Sequence, residues 1–276
     1  MIRFLPLLAF LGANAATAEP LVIDHGRLFV PVTINGMATE GLLDSGAEMT
    51  VIDPSFAAKA GIKAGAAVDA KGTGEGTAQA NFAHGVSVAA LGRNLGKRDV
   101  VILDLSEVSA RLIQRPTVVI LGRDMFDAGR LRVDLENRDV RLLAKDEEPA
   151  GVPLRLTAHK GIETIPVVAG AMSVLADLDF GNGSPPIVSR GLADALGLKA
   201  IGTTSAGGIG GAGERQLVVL PTLSVAGVTF RDFTATVDEK DKGLMMNIGT
   251  SILQHFVVTT DFPGRTAYFQ PIGGQQ

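Results

Sequence analysis

The chain has 276 residues, 46% hydrophobic and 20% charged, a composition that builds packed cores and excludes wholesale disorder. Its balance of −4, from 25 basic and 29 acidic residues without a charged block, gives no electrostatic basis for binding nucleic acid or an anionic membrane. The absence of cysteine excludes disulfides, thiol catalysis, zinc–thiolate sites and a lipid attached through an N-terminal cysteine.

The first segment reads as a processing signal. Met1-Ile2-Arg3 is the positive end, Phe4 to Gly12 the apolar stretch and Ala16-Thr17-Ala18 an A-x-A cleavage site. The apolar stretch is too short to cross a bilayer, so cleavage after Ala18 and export, periplasmic or secreted, are expected, with no membrane contact afterwards. Glycine (34), proline (13) and short runs rich in valine, threonine and isoleucine then favour an all-β chain with many turns.

Leu28 to Ile34 alternates as a strand, turns at Asn35-Gly36 and continues in a second strand to Leu43. Pro54 to Ala60 is expected as a short helix closed by Gly61. The glycine-rich stretch Gly72–Gly76 follows, then strands at Val86–Ala90, Val100–Leu103 and Thr117–Leu121, and a short helix near Asp124 to Ala128. Two last strands turn about Glu136-Asn137.

The second half repeats this order. At a shift of 135, Val30-Pro31-Val32 meets Ile165-Pro166-Val167, Leu43 meets Leu178, Asp44 meets Asp179 and Gly46 meets Gly181. One inserted residue later, Gly61-Ile62-Lys63-Ala64 meets Gly197-Leu198-Lys199-Ala200, and the helix Ser189–Leu196 stands opposite Pro54–Ala60. At a shift of 127, Leu121-Gly122 meets Ile248-Gly249 and Asp134 meets Asp261. Agreement at start, middle and end indicates a duplicated unit, residues 19–146 and 147–276, joined by the charged stretch Lys145–Pro149. Gly207–Gly213 falls opposite the first glycine-rich stretch, and both are expected as hairpin lids. Gly208 to Gly213 also spells G-x-G-x-x-G, but the following Arg215–Leu220 reads as a strand, which excludes a dinucleotide fingerprint.

The chemistry concentrates at Leu42-Leu43-Asp44-Ser45-Gly46-Ala47. Two leucines enter a core and deliver a carboxylate to a glycine-supported turn, an arrangement that costs free energy unless something uses it. The hydrophobic-hydrophobic-Asp-Ser-Gly-Ala run, followed by Val119-Ile120-Leu121-Gly122-Arg123-Asp124, resembles the retroviral and pepsin-like aspartic proteases. The resemblance implies a bilobal acid-protease fold, two tandem retropepsin-like β-barrel lobes with the cleft between them. It implies a catalytic pair, Asp44 and Asp179, holding one water. Two close carboxyls share one proton, so one acts as base and the other as acid; this is the established chemistry of the family. Ser45, Gly46 and Ala47, with Phe180 and Gly181 in the second copy, would support the turns and touch the substrate backbone. The resemblance also implies an ion pair between Glu48 and Arg123. In the family a hydroxyl follows each aspartate and bonds across the twofold; here Phe180 replaces the second, so part of that bonding is expected to be lost.

No cofactor and no metal is expected, since His25, His84, His159 and His255 stand apart without a ligand-like spacing. The partner is a peptide or protein substrate. Three readings stay open: an exported aspartic endopeptidase acting as a monomer, a peptide-binding pseudoprotease with weak or absent chemistry, and a homodimeric protease that pairs Asp44 from two chains.

Overall fold

The computed structural model describes residues 19–71 and 76–273. The expected leader, 1–18, and most of the first glycine-rich stretch, 72–75, lie outside the described residues. The protein is all-β with two lobes, each built on an eight-stranded sheet. From edge to edge the first sheet runs Val22–Asp24, Arg27–Ile34, Met37–Leu43, Val119–Leu121, Val51–Ile52, Arg93–Leu103, Thr77–Ala90, Ala67–Lys71. The second runs Thr157–His159, Ile162–Ala169, Met172–Leu178, Met245–Ile248, Ile187–Ser189, Val228–Asp238, Gly211–Val225, Ala200–Gly208. The order is the same strand for strand, and both sheets fold back through one further pairing, Arg27–Ile34 on Thr77–Ala90 and Ile162–Ala169 on Gly211–Val225.

Local chemistry explains the elements. Asn35 and Gly36 both take positive φ, 48° and 81°, the two-residue hairpin turn whose twist matches the flanking strands. Asp53 and Ser189 cap the two short helices Pro54–Lys59 and Arg190–Ala195 by accepting backbone N–H groups. The long hairpin strands exceed the lengths expected from alternation. Arg93 to Arg98 is polar apart from the buried Leu95, yet it pairs with Val86–Ala90, with one register shift after Val88, through backbone groups that need no apolar side chain. The helical segment Ser106–Ile113 left no apolar period in the sequence and was not anticipated.

A third sheet of six strands joins the lobes: Glu19–Pro20, Asp139–Leu142, Leu131–Asp134, Phe256–Asp261, Thr266–Pro271, Val152–Arg155. Its central pair is antiparallel, with Arg132 directly opposite Thr259. These two residues are related by the same shift of 127 that relates the halves. The approximate twofold therefore passes through that pair. Asp134 and Asp261 form the turns of their hairpins, accepting the backbone N–H of Asn137 at 3.0 Å and of Gly264 at 2.8 Å.

Polar contacts across the seam are not symmetric. Glu163 is wholly buried on the second lobe and accepts from Arg123 of the first at 2.8 Å and from Arg265 of its own lobe. Arg123 also pairs with Asp127 at 3.2 Å and donates to the Gly161 carbonyl. The expected Glu48–Arg123 pair is thus replaced. Glu48 is exposed and keeps its water, whereas a buried carboxylate draws the guanidinium across the seam. At the corresponding place on the other side stand Leu28 and Thr250, and there the seam encloses a cavity of about 500 Å³.

Replacing Glu163 by Gln leaves two arginines facing a neutral amide. Because both arginines retain some water, the expected loss of unfolding free energy is about 2–3 kcal/mol, below the 3–5 kcal/mol of a fully buried broken pair. Urea denaturation measures it; a change under about 0.5 kcal/mol would show that the cluster does not hold the lobes.

Candidate active site

Each strand that carries an aspartate ends in a turn suspended from the next strand. The Asp44 N–H donates to Leu121 O at 3.0 Å, and the Asp179 N–H to Ile248 O at 3.0 Å. Gly46 N–H donates to Asp44 Oδ1 at 2.8 Å, and Gly181 N–H to Asp179 Oδ1 at 2.9 Å. These turns face each other across the twofold, close enough for the two carboxyls to act on one another electrostatically. The glycines make that approach possible. A Cβ on Gly181 would lie 2.3 Å from Asp44 Cγ, and one on Gly46 3.1 Å from Asp179 Oδ1.

The hydroxyl lattice is half present. Ser45 Oγ donates to Leu178 O at 2.6 Å and accepts from Phe180 N–H at 2.9 Å, so one side chain ties the second turn by two bonds. Nothing at Phe180 returns the favour to the first turn. Its ring points down into the core, 1% exposed, and stacks on Phe126 at 6.0 Å, which in turn stacks on Phe262 at 5.2 Å. The ring therefore underpins the site without walling off the carboxyls. Ala47 closes the first turn, its N–H donating to Asp44 O at 3.3 Å.

Two residues the sequence reading passed over shape the electrostatics. Asn247 Nδ2 donates to Asp179 Oδ2 at 2.7 Å, while its Oδ1 accepts from Asn182 Nδ2 at 2.7 Å. The position matching Asn247 in the first lobe is Ile120, so Asp44 has no such donor. Arg27 is buried beside the pair and donates to His25 O at 3.1 Å. Burial lowers its pKa, and the charges of Asp179 and Asp44 act against that shift.

Burial raises the proton affinity of both aspartates, and for Asp44 the neighbouring Asp179 raises it further. The bonds from Asn247, Gly181 and Asn182 oppose the shift at Asp179. The pair titrates as a unit, and the Asn247 amide, which has no counterpart at Asp44, favours the anion on the Asp179 side.

A lid reaches over from the second lobe. The hairpin of Ala200–Gly208 and Gly211–Val225 sends its tip to the first lobe, where Ile209 packs on an apolar cluster that includes Phe29 and Ile120. Arg111 Nη2 donates to Gly208 O at 3.1 Å, and Gly76 N–H to Gly210 O at 2.8 Å. Arg111 lies in the unanticipated segment Ser106–Ile113 and is braced by Glu107.

Residues 30–125 match the family model for aspartyl proteases. Over this stretch the first lobe is similar to the aspartyl protease family. No curated protein matches the chain. The match spans the Asp44 turn and the strand behind it, whereas Asp179 lies outside the matched residues.

Replacing Ser45 by Ala strands the Leu178 carbonyl and the Phe180 N–H in a buried site. The expected loss is about 1–3 kcal/mol of unfolding free energy, and kcat should fall with it as the turns lose register; an unchanged melting curve would contradict the bridge. The dyad also sets a pH dependence. Its native proton affinity lies above that of an unfolded aspartate, near 3.8. Its stabilisation is therefore complete below that pH and is lost as pH rises through the native titration. The melting temperature of the wild type should fall more steeply from acid to neutral pH than that of Asp44→Asn. Parallel slopes would contradict the raised affinity.

Proposed function

We propose that the protein is an exported aspartic endopeptidase that hydrolyses peptide bonds within a single chain's cleft. The observation that carries the reading is the buried, closely facing pair of carboxyls, Asp44 and Asp179 of one chain, on turns supported by Gly46 and Gly181. A water between the carboxyls attacks the substrate carbonyl carbon. Asp179 takes the water proton while Asp44 gives its proton to the carbonyl oxygen, leaving a neutral gem-diol. Asp179 then protonates the amide nitrogen as the C–N bond breaks, and a diol proton returns to Asp44. Ser45 and Phe180 hold the turns in register, and the hairpin lid closes over an extended peptide and excludes water.

We further propose that the two lobes, 19–146 and 147–276, descend from one duplicated unit, a reading supported by their identical strand order. Export rests on the leader-like residues 1–18. A second reading, a peptide-binding pseudoprotease, draws support from the missing reciprocal hydroxyl at Phe180. The homodimer that pairs two copies of Asp44 is disfavoured because Asp44 already faces a carboxyl of its own chain.

Cleavage of unfolded protein and of a peptide library between pH 3 and pH 7 tests these readings. Asp44→Asn and Asp179→Asn are each expected to abolish turnover. Activity that survives Asp179→Asn but not Asp44→Asn would favour the homodimer, and no turnover by the wild type would favour the pseudoprotease.

A further inference from the structure

Along Met172–Leu178 the side chains alternate. Val174, Ala176 and Leu178 are buried in the core, whereas Ser173, Leu175 and Asp177 lie on the other face, which runs on to Asp179. Asp177 therefore sits one strand repeat from the reactive carboxyl and on its side of the sheet. Its neighbour across the parallel pairing is Asn247, the residue that holds Asp179 Oδ2.

The environment of Asp177 is unusual for a carboxylate. Its Oδ1 is buried and has no hydrogen-bond partner. The charges that reach it are Asp179 and Asp241, both negative, and Lys160, which is exposed and makes no ion pair with it. A buried acceptor without a donor is costly and calls for an explanation, and beside a reactive carboxyl a group brought by a ligand supplies one. The matching residue of the first lobe is Leu42, 3% exposed within an apolar cluster. The sheet face that leads to the carboxyl pair is thus apolar in the first lobe and acidic in the second.

We infer that Asp177 is a specificity residue which receives a lysine or arginine side chain of the substrate, adjacent to the scissile bond on the second lobe's side. The inference rests on the peptidase reading above. An ammonium or guanidinium supplies the donors that Oδ1 lacks, and it does so in a site where each such bond is strengthened by the loss of water. A site completed by a hydrogen-bonding substrate group discriminates against analogues without it far better than an apolar pocket discriminates by size.

The test uses the mature protein and fluorogenic peptides identical except at the two residues flanking the cleaved bond, carrying Lys, Met or Glu. The wild type should prefer Lys over Met at one of the two positions by about tenfold or more in kcat/KM. Asp177→Asn should bring that ratio near one, and Asp177→Lys should turn the preference toward Glu. The ratio is internal to each variant, so partial unfolding does not mimic the effect. Should Asp177→Asn lower Lys and Met peptides in proportion, Asp177 is structural and the inference is overturned. A wild type that cleaves peptides without preferring Lys at either position overturns this inference and leaves the peptidase reading standing. A wild type that cleaves no peptide overturns both.

Discussion

Two carboxyl groups facing each other away from bulk water repel unless they hold a proton between them. The lobes meet around that constraint. The backbone must come close enough for Asp44 and Asp179 to touch, so glycine occupies the position two residues after each aspartate. The turns must stay put, so each aspartate's N–H hangs from the strand that threads behind it. Strands Val119–Leu121 and Met245–Ile248 are short and wholly or largely buried because their task is to present one carbonyl each at the right height.

Shared architecture does not make the halves equivalent. Backbone N–H groups favour the anion on both sides, but Asn247 adds a side-chain donor to Asp179 for which Ile120 has no equivalent at Asp44. The difference makes the two carboxyls chemically unequal. Phe180 shows the same division of labour. By giving up a hydroxyl it gains an aromatic stack with Phe126 and Phe262, and Ser45 alone carries the link between the turns.

The sequence made the repeat legible because the turns and helix ends recur at fixed shifts. Asn35-Gly36, Gly61, Gly197 and the Asp-x-Gly pairs are positions where backbone geometry dictates the residue. Long-range polar partners were not legible. Glu163 reads as an ordinary polar position on an alternating strand, and only the fold brings Arg123 and Arg265 to it, which is why the pairing expected for Glu48 failed. Asn247 lies in Met-Met-Asn-Ile, where nothing local hints that its amide meets a carboxylate 68 residues away. The segment Ser106–Ile113 escaped because it is short and takes part of its shape from wider, π-type turns.

The six-stranded sheet makes each lobe depend on the other. Leu131–Asp134 and Phe256–Asp261 are each other's covering, so a lobe cut free at the joint would bear a raw hydrogen-bonding rim. The nearest substitute for the missing neighbour is the same rim on another molecule. An isolated half would therefore tend to self-associate in antiparallel fashion along that rim.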